Sequence, residues 1–236
     1  MNALLHAIFD GAMAHTGNPR EGDYLSYQYG GWNVSVSYAY ADETTYNCSI
    51  VYSVLYYTSA AQESEMDGRV SAILGQLNLG GKSDQQKLEA IYAYLCANVV
   101  YDFDNLNNDE YKLKYTGYAA LCNGTAVCQG ISVAFYRLCL ASGVDARVVD
   151  CDDMCHAWNI ARCRGAYYAL DATWDLGAES PVNYWYFLKG STYWLSSHKA
   201  NGVSSLGDQY QDAAFASLYA IPAGTKLSPS AETSIS

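Results

Sequence analysis

The sequence predicts an α+β fold, with helices early in the chain and an antiparallel sheet late. Three observations carry this. Residues 61–79 and 83–99 place apolar side chains at helical spacing. Residues 144–151, 155–163 and 166–173 are strand-like runs, the last two joined across Arg164-Gly165, a hairpin-turn pair. Residues 32–40 and 46–58 alternate and are rich in Tyr, Val and Ile, which predicts a separate β-hairpin.

The elements follow in order. Leu4, Leu5, Ile8 and Met13 suit an amphipathic helix over residues 2–16, and the Gly-rich polar stretch 17–31 reads as loop. In the second hairpin strand, Cys48, Ile50, Tyr52, Val54 and Tyr56 share one face, the period of a half-buried strand. Met66, Val70, Ile73, Leu74 and Leu77 then line one side of a helix that Gly80-Gly81 ends. Ser83, with Gln86 three residues on, predicts a capping box for a helix burying Leu88, Ile91, Tyr92, Leu95 and Val99. Residues 104–110 are a polar loop and 118–121 a short helix. A second helix runs over 128–142, with Ile131, Phe135, Leu138 and Cys139 facing the core and Gly143 at its stop. A further strand is expected over 184–187. The Ser/Thr/Pro-rich stretch 225–236 reads as a flexible tail.

Composition narrows the function classes. Half of the 236 residues are hydrophobic and 16% are charged, which excludes wholesale disorder, collagen and coiled coil. Thirteen Lys+Arg against 24 Asp+Glu give a net charge of −11, with no basic cluster, so no nucleic-acid partner is expected. No run of about 18 apolar residues exists, so no membrane span is expected. The first ten residues lack a basic start, and Asp10 interrupts their apolar run, so they do not read as a signal peptide.

The sharpest chemical constellation is Cys128, His156 and Asp171. A thiol nucleophile needs a lowered pKa, a neighbouring base and a group that orients the base. Cys128 falls at a predicted helix N-terminus, whose partial charge favours the thiolate. A two-residue loop at Arg164-Gly165 pairs 163 with 166, and so 156 with 173. Asp171 then shares the His156 face, one diagonal step away. Each residue also has a structural reading: Cys128 as a core thiol, His156 as a strand histidine, Asp171 as a turn cap.

Several motifs resemble the transglutaminase-like superfamily. The run Ala126-Val127-Cys128-Gln129-Gly130-Ile131-Ser132 resembles the family's nucleophile segment, and Gly143-Val144-Asp145-Ala146-Arg147 its lead into the sheet. His156-Ala157-Trp158-Asn159 matches H-A-W-N, and Asp171-Ala172-Thr173-Trp174-Asp175 matches D-x-T-W-D. Lys87 through Tyr101-Asp102 is similar to the helix ending in V-x-Y-D. Tyr186-Phe187-Leu188 and His198 resemble the closing segment of bacterial members. The resemblance covers about residues 82–200. It implies a papain-like core with Cys128 as nucleophile, His156 as acid/base and Asp171 as orienting carboxylate. The short gap between Cys128 and His156 fits this branch better than papain-type proteases. It divides the chain into an extension (1–80), a catalytic core (81–224) and the tail.

The implied chemistry is acyl transfer on a peptide or protein amide through a thioester, with no cofactor. Cross-linking, deamidation and hydrolysis all remain open. Tyr101 is a candidate second oxyanion donor beside the Cys128 N–H, and Trp158 and Trp174 are candidate cleft walls, with buried packing as the alternative. A cysteine peptidase on cell-wall peptides and a non-catalytic surface binding module are the rival readings. Export to the cell surface is expected from the bacterial resemblance, with a cytoplasmic home as the alternative. No metal is expected: there is no Cys-x-x-Cys pair. The acidic residues Asp102, Asp104, Asp109 and Glu110 lack a calcium-loop pattern and read as a solvated loop. His6, His15 and His198 have no evident partners. A free Cys128 leaves seven other cysteines, an odd number that favours thiols over a disulfide framework.

Overall fold

The computed structural model describes residues 2–177, 184–200, 202–224 and 226–227. Helix α1 (Asn2–Ala12) buries Leu5 and Phe9. It lies on the hairpin that follows the short helix α2 (Asp23–Ser26), formed by β1 (Tyr29–Tyr40) and β2 (Tyr46–Tyr56). Phe9 stacks on Trp32 at 4.7 Å, and the Tyr52 hydroxyl donates to the Leu5 carbonyl at 2.7 Å. The alternating face is half-buried only at Ile50, Tyr52 and Val54; Cys48 and Tyr56, nearer the strand ends, stay exposed.

Helix α3 (Ala60–Leu77) begins with a capping box between Ser59 and Gln62. It ends at Asn78, in a left-handed conformation with φ 47°, and not at Gly80-Gly81. Asn tolerates that conformation because its short amide side chain satisfies the local backbone. Met66, Val70 and Ile73 carry this helix into the main core. Helix α4 (Asp84–Asn98) carries the expected Ser83–Gln86 capping box and buries Leu88, Ile91, Tyr92 and Leu95.

Strand β3 (Val100–Tyr101) runs parallel to β4 (Thr125–Ala126), setting Tyr101 beside Ala126. The intervening loop exposes Asp104, Asp109 and Glu110, as the sequence predicts, and departs from that reading at Asp102. Asp102 is buried and accepts hydrogen bonds from the Asn105 backbone and side-chain amides. Lys114, also buried, donates to the carbonyls of Asn105, Leu106 and Asn108 at 2.7, 2.9 and 2.9 Å. An ammonium can leave water only if its three donors find such acceptors.

Helix α5 (Cys128–Ala141) is the central element and is buried along most of its length. Gly143, at φ 79°, follows it. The sheet then has the order β5 (Ala146–Cys151), β6 (His156–Cys163), β7 (Ala166–Leu170), antiparallel throughout. Arg164 and Gly165 both have positive φ, the geometry of a two-residue hairpin, and Cys163 pairs with Ala166 as the register argument requires. Ala161, Cys163, Tyr168 and Leu170 join the core shared with α4 and α5. Trp158, Ile160 and Ala169, on the opposite face, pack with Trp194 and Tyr219 from the C-terminal segment.

That segment contains α6 (Ser191–Ser197), the small pair β8 (Lys199–Ala200) and β9 (Val203–Ser204), and α7 (Ala213–Leu218). Residues 184–187 do not form the predicted strand, because Tyr184 and Leu188 adopt φ 53° and 47° and bend the chain. Its backbone meets the end of β7 where Ala169 bridges to Lys189 and the Asp171 N–H reaches the Tyr186 carbonyl. Of the expected tail, Lys226 bridges to Lys189 and the Leu227 N–H reaches the Leu188 carbonyl; its other residues lie outside the described set. All eight cysteines are unpaired. Among the described residues, no helix is long and apolar enough to cross a membrane.

Candidate active site

Cys128 owes its position to a tight approach of α5 to the preceding chain. The Val127 N–H reaches the Lys114 carbonyl at 3.2 Å, and β4 runs straight into the helix. A Cβ on Gly130 would lie 2.7 Å from the Lys114 carbonyl oxygen and 2.8 Å from that of Thr116. Glycine is therefore required two residues after the thiol, because both obstacles are backbone. Cys128 occupies the first helical turn, and no side chain caps that end. Its thiol points at the Cys155 carbonyl, 4.0 Å away.

His156 opens β6, opposite Cys151, after a left-handed Cys155 (φ 47°). Its Nε2 lies 2.7 Å from Oδ2 of Asp171, leaving Nδ1 as the other ring nitrogen. Strand pairing ends at Asn159 with Leu170, and Asp171 follows at once on the His156 side. The other Asp171 oxygen, Oδ1, accepts from the backbone N–H groups of Thr173 and Trp174 at 2.8 and 3.3 Å. Burial works against ionising Asp171, but the charge and hydrogen bonds of His156 and His198 outweigh it and hold the carboxyl at about 2. Burial likewise opposes protonation of His156, and the Asp171 carboxylate with its hydrogen bond overrides it, raising the imidazole to about 10. The ring therefore carries a proton over the neutral range.

Cys128 and His156 open together onto a cavity of about 210 Å³, whose other walls include Tyr115, Gln129, Asp150 and Asp152. On the other side of His156, a cavity of about 400 Å³ is lined by Tyr101, Phe103, Leu106, Trp174 and Leu176. The Tyr101 hydroxyl lies in hydrogen-bond contact with Cys128. Burial and the nearby thiol raise it to about 12, while the Cys128 backbone N–H opposes that rise. Trp174 is 40% exposed and stacks on His156 at 5.3 Å, so it stands at the cleft. Trp158, the other candidate, follows its buried-packing reading: it is wholly buried and packs against Trp194, beneath the His156 ring. It shares the His156 face of β6 but sits two residues further along the strand, where Trp194 and His198 cover it and a tryptophan fills volume.

Three residues have partners that the sequence reading missed, two of them at the site. His198, expected to have no partner, is fully buried with Nε2 3.3 Å from Asp171 Oδ2. Tyr92, expected only as core, places its hydroxyl 2.7 Å from the Asp171 carbonyl and 2.6 Å from an Asp175 carboxylate oxygen. Burial raises the Asp175 carboxyl, with the Tyr92 hydrogen bond opposing. His15, also left unpartnered, meets the Tyr136 hydroxyl at 2.8 Å, away from the cleft. No local spacing announces these contacts, since each spans dozens of residues. Among the described residues, His156, Asp171 and His198 form the one set close enough to offer three metal-ligand atoms. Those atoms are already spent on one another through hydrogen bonds to Asp171 Oδ2, so the set does not fit a metal as it stands.

The arrangement is a thiol at a helix N-terminus, an imidazole and a buried carboxylate, the parts that nucleophilic acyl chemistry uses. Residues 71–172 match the family model of the transglutaminase-like superfamily (Transglut_core). The chain is 23% identical over 167 residues to the kyphoscoliosis peptidase of Homo sapiens, covering 61% of this chain and 24% of that protein. It is 24% identical over 154 residues to the Mus musculus protein of the same name, covering 58% and 23%. The chain thus spans about a quarter of the length of these curated relatives. A crystal structure of a TGase superposes with a TM-score of 0.44 at 17% identity, covering 63% of this chain and 47% of that one. Over residues 71–172 the chain is thus similar to the transglutaminase-like superfamily.

Proposed function

We propose that the chain is a thiol enzyme that cleaves or transfers peptide or protein amides through Cys128, His156 and Asp171. The observation that supports this best is the His156–Asp171 pair at 2.7 Å, with His156 and Cys128 opening onto one cavity. The superfamily holds both cysteine proteases and transglutaminases, which agrees with a thiol mechanism.

In this reading, the Cys128 sulfur, its proton held by His156, attacks the amide carbonyl carbon. A C–S bond forms and the carbonyl electron pair moves to oxygen. The oxyanion is stabilised by the Cys128 N–H and the Tyr101 hydroxyl, which already lies against that amide. His156 then gives its proton to the leaving nitrogen as the C–N bond breaks, which leaves a thioester. Water or an amine attacks the thioester, His156 takes the incoming proton, and the C–S bond breaks to restore the thiol. Asp171 keeps the ring oriented and supports its positive charge. Water gives hydrolysis, and an amine gives cross-linking. The relatives' name, peptidase, supports hydrolysis as the first activity to assay.

The test is intact-mass labelling with a peptide that carries an acyl electrophile. One adduct, mapped to Cys128, is expected in the natural chain and none in Cys128→Ala. In His156→Ala, labelling should slow at least about tenfold. Equal labelling with and without His156 overturns the reading.

A further inference from the structure

The geometry points to His198 as a positioning residue that donates its Nε2–H to Asp171 Oδ2, sharing that oxygen with His156 and moderating the carboxylate's hold on the His156 proton. The inference rests on the acyl-transfer reading above.

The Asp171 carboxylate is the junction. Oδ2 receives His156 at 2.7 Å and His198 at 3.3 Å, while Oδ1 receives two backbone N–H groups. With four donors around it, the carboxylate has no unfilled side. An ionised Asp171 has no proton to offer, so the hydrogen between it and His198 sits on the ring. The Ser197 hydroxyl lies 3.0 Å from Nδ1 and also 3.0 Å from the Trp194 carbonyl. The ring is clamped between Trp194, with centroids 3.5 Å apart, and Trp174, at 4.1 Å, both nearly parallel to it. Asp171, His156 and Tyr186 are the titratable groups facing it. Burial disfavours its charged form more than Asp171 favours it, so His198 stays neutral beside a charged His156.

One carboxylate thus holds one imidazolium and one neutral imidazole. A second donor on the same oxygen disperses its charge and weakens its grip on the first. This matters for an acid/base residue, which has to release its proton to the leaving group within the reaction. His198 lines none of the three cavities that His156 opens onto, and its effect passes through Asp171.

The experiment titrates the imidazoles by long-range proton–nitrogen NMR in three forms of the chain. In the natural form, His198 should appear as the neutral Nε2–H tautomer at pH 7, with its midpoint below the ordinary histidine value. An Nδ1–H tautomer, or a protonated ring at pH 7, overturns the proposal without any variant. In His198→Phe, which keeps a ring in the stack and removes the donor, the His156 midpoint should rise by about half a pH unit or more. In His198→Gln, whose amide can donate from nearly the same place, it should return towards the natural value. No shift in the Phe variant, a downward shift, or an equal shift in both variants overturns the proposal. Labelling of Cys128 in the same samples separates the two ideas. If it is independent of His156, the acyl-transfer reading fails; if it depends on His156 while the midpoint ignores His198, only this inference fails.

Discussion

His156 Nε2 and Asp171 Oδ2 meet at 2.7 Å one residue beyond the last paired position of β7. The sheet delivers the histidine and the end of the neighbouring strand delivers the carboxylate. Their side-by-side placement follows from a hairpin whose loop holds two residues.

That pair makes stability depend on pH in two places. Asp171 has its carboxyl lowered from 3.8 to about 2, so its contribution is present above 3.8 and lost as pH falls through 2. His156 is raised from 6.5 to about 10, so its contribution is full below 6.5 and lost as pH rises through 10. Unfolding free energy from this pair should therefore be flat between about pH 4 and 6.5 and fall on both sides. Asp171→Asn should cost a few kcal/mol at pH 6 and remove most of the decline above pH 6.5. Urea titrations at pH 5, 6.5, 8 and 9.5 check this, and an unchanged alkaline slope in the variant refutes it.

Gly130→Ala should be severely destabilising despite the better helix propensity of alanine. Its Cβ would press on two carbonyl oxygens and on Ala126 Cβ at 2.9 Å. The cost should reach about 3 kcal/mol, and the first turn of α5, which carries Cys128, should move with it. Thermal unfolding reads the first effect. Gly68→Ala, where nothing lies within 4 Å, is the control and should be neutral or stabilising.

Lys114→Met keeps the apolar stem and leaves three backbone carbonyls without their shared donor. A loss of about 3 kcal/mol is expected, with new protease sensitivity within residues 102–111. The Phe103 and Leu106 wall of the cleft stands on this loop. The affinity for an apolar peptide inhibitor should therefore fall more in this variant than in the exposed control Lys112→Met.

Much of this was legible because its causes are local. The Ser83–Gln86 box, the stop at Gly143 and the Arg164-Gly165 turn each depend on a few neighbouring residues. The face shared by His156 and Asp171 follows from parity alone. The illegible parts depend on chain segments far apart. His198 reaches Asp171 through a C-terminal segment whose bends at Tyr184 and Leu188 leave no periodic signal. Trp158 was open to reading as a cleft wall until the opposite face of the sheet was known to be covered. Asp102 and Lys114 look like solvent charges in sequence and become interior ones only when the loop folds over them. Asn78 ended a helix before the glycines that seemed suited to do so, because the αL position came first.

The most direct test is the rate of Cys128 alkylation by iodoacetamide at pH 6.5, resolved from the other seven thiols by peptide mapping. The account predicts that Cys128 reacts at least about tenfold faster than the same cysteine in the unfolded chain, and that His156→Ala abolishes the advantage. A Cys128 that reacts no faster folded than unfolded, or equally fast without His156, contradicts it.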